Sequence, residues 1–327
     1  MPLDADLIVD RRRMRRKLTF WRVLTVLVAI VAVAGAGVMF TGRHGALSGS
    51  PGGSIARISI EGLIRGNRQR VEALDRLAQS NAQAVIVHIN SPGGTVAGSE
   101  ELYDSLIKLK AKKPMVVVVD GLAASGGYIA ALASDRILAQ QSAIVGSIGV
   151  IFQYPNVTEL LKTIGVQIES IKSSPLKAAP SGYEPTSPEA RAAVEAIVKD
   201  SYDWFRTLVR DRRRLEPELL QKVSDGRVFT GRQGVALKLV DELGNEKTAT
   251  AWLAKEKGLK ADMAVRDWDL KPRFSDLSIL HLATGVALDA VGLGSLARRL
   301  ETLSSIQAVE RLNLDGLLAL WHPPVSN

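Results

Sequence analysis

The chain has 327 residues, 46% of them hydrophobic and 23% charged, which is enough for one large or two small globular domains. It has no cysteine, so disulfides, thiolate nucleophiles and cysteine-held metals are excluded. Its four histidines (His44, His88, His281, His322) form no H-x-x-x-H or H-E-x-x-H pair, so neither a zinc hydrolase nor any other cofactor is expected.

The formal charge of +8 is uneven. Residues 1–22 carry Arg11, Arg12, Arg13, Arg15, Arg16, Lys17 and Arg22 against Asp4, Asp6 and Asp10, which is half of the excess. Residues 1–17 read as a basic cytoplasmic arm because a long apolar stretch comes directly after them. Residues 18–40, LTFWRVLTVLVAIVAVAGAGVMF, hold one charge, Arg22. As a helix they would be about 35 Å long, enough for a hydrocarbon core of about 30 Å. The basic run should stay inside, leaving the rest of the chain outside the cytoplasm. The partner of the basic arm is thus a lipid bilayer and not nucleic acid. A cleavable signal peptide ending at Ala32-Val33-Ala34 is the competing reading, but its apolar region is usually about 7–15 residues long. Residues 41–54, rich in Gly and Ser, read as a tether.

Strands and helices then alternate. IARISI (55–60) predicts a strand, and 67–80 a helix with apolar residues at 71, 74, 77 and 78. AVIVHI (84–89) is a buried-type strand, 96–112 a helix, and MVVVVD (115–120) another buried strand. A helix of small residues comes next at about 125–133, with strands at RILA (136–139) and VQIESI (166–171). Residues 172–188 form a proline-broken loop. A long amphipathic helix carries Val194, Ile197, Trp204, Phe205 and Leu208. The pattern predicts an α/β fold with a parallel sheet covered on both faces. Residues 261–327 are expected to form a Leu-rich helical tail that packs either on a partner subunit or on the core of its own chain.

In such sheets ligands bind beyond the carboxyl ends of the strands. INSPGGTV (89–96) and DGLAASGGYIA (120–130) stand there as glycine-bearing turns. Ser125 suits a nucleophile at a strand-to-helix turn, and the Gly126 and Gly94 N–H groups suit an oxyanion. On a blander reading these glycines only make turns. No histidine is well placed as base; His88 lies within a strand. Lys177 sits among Pro, Leu and Ala with no carboxylate from 172 to 183, and a lysine serves as base when burial keeps its amine neutral. The alternative is that Lys177 is an ordinary solvated charge.

INSPGG, DGLAASGGYIA, AIVGSIGVI (143–151), IKSSPLKAAPS (171–181) and DGRVFTGRQGVALKLVDELG (225–244) occur in order across residues 55–260. Together they resemble the short, single-domain form of the bacterial signal peptide peptidases of the SppA type, peptidase family S49. The resemblance implies a ClpP/crotonase-like fold preceded by one transmembrane helix. It implies a Ser125–Lys177 dyad, Ser147 orienting the lysine, and Gly94 and Gly126 as oxyanion donors. It also implies peptide substrates such as signal-peptide remnants, and a cyclic homo-oligomer in which Ser and Lys of neighbouring subunits meet. His88 departs from the pattern, which more often has Arg before INSPGG, and no motif aligns after about 260. A crotonase-type acyl-CoA enzyme and a non-catalytic membrane scaffold are the other readings; the first would need carboxylates as acid and base.

Overall fold

The computed structural model describes Lys17, residues 53–270 and the backbone of residues 317–320. Apart from Lys17, Gly53 and Ser54, the expected arm, membrane span and tether lie outside the described residues, as does most of the expected tail. No helix among the described residues is long and apolar enough to cross a membrane. The chain divides into two compact units, Met1–Gly53 and Ser54–Asn327, and every element below belongs to the second.

Three parallel strands carry the fold: β1 (Ser54–Ile64), β2 (Ala82–Thr95) and β3 (Met115–Ala124). Helices α1 (Arg68–Ala78) and α2 (Val96–Lys110) connect them. Side-chain caps start both helices: Asn67 accepts from Arg70 N, and Thr95 from Gly98 N. Alternate residues of β2 and β3 go to opposite faces, and both faces are buried. Val85, Val87, Ile89, Met115, Val117 and Val119 join the main core with Leu102, Leu106 and Leu109 of α2. Ala84, Ile86, Val116 and Val118 form a smaller core with Ala249 and Leu253 of α8 (Glu246–Lys257). This two-sided cover is why the strands read as unbroken Val/Ile runs.

The sheet continues in parallel through β4 (Arg136–Ala139) to β8 (Glu242–Leu243) on one side and to β9 (Val265–Asp267) on the other. Register shifts at Ile89/Ser91 and Glu61/Leu63 bend the three long strands. Beyond the bend they acquire new neighbours. The end of β3 pairs in parallel with β5 (Ile144–Gly146), which pairs antiparallel with β7 (Val228–Thr230). The end of β2 pairs antiparallel with β10 (Leu317–Leu320), which also pairs antiparallel with β6 (Ile151–Phe152). The sheet is therefore mixed, not wholly parallel as expected. INSPGG is a bent strand extension, not a turn.

The remaining helices are α3 (Gly126–Ala131), α4 (Thr158–Thr163), α5 (Pro188–Arg213), α6 (Pro217–Val223) and α7 (Gly231–Ala236). Ser187 caps α5, Pro188 occupies its first turn, and Arg214 ends it in the left-handed conformation. Phe205 and Val209 of α5 are buried, but Ile197 is 52% exposed. Two expectations fail. VQIESI is not a strand: it joins no ladder among the described residues, and Val166, Ile168 and Ile171 are exposed. The tail is not helical throughout, since residues 265–267 and 317–320 are strands.

Candidate active site

Ser125 is the first residue after β3 and the N-cap of α3. Its backbone has φ 55° and ψ −118°, a region that side chains with a Cβ avoid at a cost of about 1–3 kcal/mol. The turn is fixed by its own bonds: Ser125 N donates to Gly146 O at 2.8 Å, and Tyr128 N and Ile129 N donate to Ser125 O. Below it, Tyr128 is fully buried and donates its hydroxyl to Leu239 O at 2.8 Å. Burial pushes that phenol well above its ordinary pKa, so it is a structural peg and not an acid. Ser125 is 1% exposed, and its Oγ has no hydrogen-bond partner among the described residues. Leaving a buried hydroxyl unpaired costs about 1–3 kcal/mol, so this serine is both strained and unsatisfied.

Ser147 stands in the corresponding place one strand over. Ala124 of β3 is in register with Gly146 of β5, so Ser125 and Ser147 each follow the end of adjacent parallel strands. Ser147 also has positive φ, 52°, is 8% exposed, and donates its N–H to Arg227 O at 2.9 Å. The structure thus brings Ser125 and Ser147 together.

Gly94 and Gly126 flank the same point. Gly126 opens α3, where the first N–H groups have no intrahelical acceptor. Gly94 lies on the bent end of β2, beyond Ser91, which is in register with Ala123. A Cβ at Gly94 would lie 1.7 Å from Ile64 O, so the crossing of β1 over β2 requires glycine there whatever its chemistry. Two contributors went unread in the sequence. Ser91, fully buried, donates Oγ to Gly62 O at 2.6 Å and accepts from Gly93 N at 3.1 Å, which holds the glycine run in place. Gly127 lets α3 approach β2, since a Cβ would lie 2.7 Å from Ser91 O. The serine inside INSPGG and the second glycine of SGG were the available signals.

No hydrogen bond joins Lys177 to Ser125 among the described residues. The Lys177 side chain is exposed, against the expected burial, and has no hydrogen-bond or ion-pair partner among the described residues. The nearby Lys172 pairs with Glu184, which engages the closest acid of the loop and holds that carboxyl below its ordinary range. Ala178 has φ 60°. Of the five non-glycine residues with positive φ among the described residues, Arg214 and Lys238 end helices. The other three are Ser125, Ser147 and the residue beside Lys177.

His88 is committed elsewhere. Its Nδ1 lies 2.8 Å from Asp120 Oδ2 and its Nε2 3.0 Å from Glu246 Oε2. Arg57 grips Glu246 with Nε and Nη2 at 2.5 and 2.7 Å and reaches Asp267 with Nη1 at 2.7 Å. The network ties α8 and β9 to the sheet. It holds the Glu246 carboxyl below its ordinary range, chiefly through Arg57.

A model of peptidase family S49 matches residues 107–260, and one of Clp protease matches residues 66–147. The second agrees with a ClpP-like α/β fold of mixed sheet and flanking helices. The slr0021 protein of Synechocystis sp., named as a protease, is 39% identical over 215 residues, 65% of this chain and 78% of that protein. Protease 4 of Salmonella typhi is 34% identical over 220 residues, 64% of this chain and 35% of that protein. The Enterococcus faecium protein named as signal peptide peptidase SppA is 34% identical over 178 residues, 54% of this chain and 52% of that protein. The chain therefore spans most of the first relative and about half or less of the other two. With the serine site and these relatives together, the chain belongs to peptidase family S49 and is a serine protease.

Proposed function

We propose that the protein is a membrane-anchored endopeptidase with a Ser125–Lys177 dyad that hydrolyses cleaved signal peptides and other membrane-associated peptides. The observation that carries this reading is the strained, buried and unpartnered Ser125 hydroxyl between Gly94 and Ser147. A serine held this way has no structural use for its hydroxyl. The substrate class is supported by the name of the Enterococcus relative. The anchor is supported by the apolar stretch 18–40 behind a basic arm, which also favours a catalytic unit outside the cytoplasm.

In this mechanism neutral Lys177 Nζ takes the Ser125 proton as Oγ attacks the scissile carbonyl. The Gly94 and Gly126 N–H groups hold the oxyanion, each for about 3 kcal/mol of transition-state stabilisation. Lys177 then gives its proton to the leaving amine, and water, deprotonated by the same lysine, releases the acyl group. Ser147 directs the amine through its hydroxyl. The lysine comes from a second copy. Its segment is exposed in one chain, and so are Leu160, Ile164, Val166, Ile168, Ile171, Leu176 and Ile197 on or near it. That much apolar surface on one stretch is what a closed homo-oligomer would cover.

Hydrolysis of an apolar peptide by the full chain tests the reading. Ser125→Ala should abolish it. Lys177→Arg should lose at least about a hundred-fold, as Lys177→Ala does, because guanidinium keeps its proton. Substantial activity in Lys177→Arg would remove Lys177 as the base.

A further inference from the structure

The strand β10 lies in an unusual place. It is four residues long and sits between β2 and β6, antiparallel to both. On β2 its partners are the glycine run of the active site: Leu318 is in register with Thr95, Ala319 with Gly94, and Leu320 with Gly93. On the other side Leu317 and Leu318 are in register with Phe152 and Ile151. The other described partners of β2 are parallel strands of the main sheet.

A peptidase that attacks a backbone carbonyl beside Gly94 needs the substrate extended there, and an extended peptide is recognised by adding itself as a strand. The slot between β2 and β6 offers main-chain groups on both sides to such a peptide. In this structure the chain's own residues 317–320 fill it, with Ala319 opposite Gly94. We propose that β10 is a displaceable plug: a built-in pseudo-substrate that competes with peptides for the slot beside Ser125. The inference rests on the peptidase reading above. β10 is four residues long, so a peptide that makes the same main-chain bonds over a longer stretch can compete with it. A slot that is free one-tenth of the time weakens apparent substrate binding about ten-fold without altering the chemistry once substrate is in.

Leu318→Pro in the full chain tests this. Leu318 is in register with partners on both sides, and proline there removes a ladder donor whichever neighbour receives it. The expected result is a KM for peptide lowered several-fold with kcat unchanged. Amide hydrogen exchange at residues 93–95 should become faster in the variant. A synthetic peptide with the sequence of residues 314–323 should slow that exchange again and inhibit the variant competitively; the same peptide carrying the Leu318→Pro change should do neither. An unchanged or raised KM would overturn the proposal, as would loss of kcat in a variant with native circular dichroism, since β10 would then be a wall of the site. Unaltered exchange at residues 93–95 would overturn it as well. If Ser125→Ala proves as active as the unaltered chain, the dyad reading fails instead, and the exchange and peptide-binding readouts still decide whether β10 can be displaced.

Discussion

Ser125 combines two costs that a structural serine would not keep, a φ of 55° and a buried hydroxyl without a partner. Removing the hydroxyl relieves one, and removing the Cβ relieves both. Ser125→Ala should therefore raise stability by about 1 kcal/mol, and Ser125→Gly by somewhat more, while both abolish hydrolysis. Thermal unfolding of the three proteins checks the order, and a Tm for Ser125→Gly below that of the unaltered chain would contradict it. Gly94 behaves in the opposite way. A methyl group 1.7 Å from Ile64 O forces β1 and β2 apart, so Gly94→Ala should cost about 2–3 kcal/mol in addition to activity. The two substitutions would separate a residue whose proposed role is chemistry alone from one that also serves packing.

The parallel core strands and the connecting helices were legible as elements because both faces of the sheet are covered, which leaves unbroken apolar runs. The bend was not legible. Pro92 and the glycines after it read as a turn, yet proline and glycine are also what a bulged strand end uses. VQIESI misled in the other direction: its alternation suits a strand, but a strand needs another to pair with, and no described strand pairs with it in one chain. Ser125, Gly94 and Gly126 were legible as small residues at strand ends, and Ser147 through resemblance alone. The network around Glu246 depends on contacts 158 to 189 residues apart, which no local pattern reveals. It yields a prediction for α8. The Glu246 carboxyl titrates lower in the folded state than in the unfolded one, so its stabilisation is fully present above about pH 5 and is lost as pH falls through the folded value. Glu246→Gln should thus be about 1 kcal/mol less stable at pH 7, with the gap closing below about pH 4. Urea titrations at the two pH values measure it; a gap that widens in acid would contradict it.

The whole molecule presents its apolar residues unequally. The main core is closed, while Ile164, Val166, Ile168 and Ile171 lie open in the segment that precedes Lys177. A charge placed there should leave one chain folded and prevent assembly. Ile168→Asp should give a smaller species by sedimentation with unchanged Tm and at least about a hundred-fold less activity, because the proposed mechanism then lacks its base. Mixing Ser125→Ala with Lys177→Ala chains should restore part of the activity, since one interface can carry both intact residues; no recovery after full subunit exchange would argue for a dyad within one chain. The buried Ser125 and the exposed Lys177 have a further consequence, for the rate law. On the proposed mechanism, a nucleophile that every chain holds ready and a base that arrives only with a neighbour make the active unit the product of an encounter. Below the association midpoint, initial velocity should then rise with a power of protein concentration greater than one. A sudden dilution should be followed by a slow decay of turnover, with the time constant of subunit dissociation and not that of any chemical step.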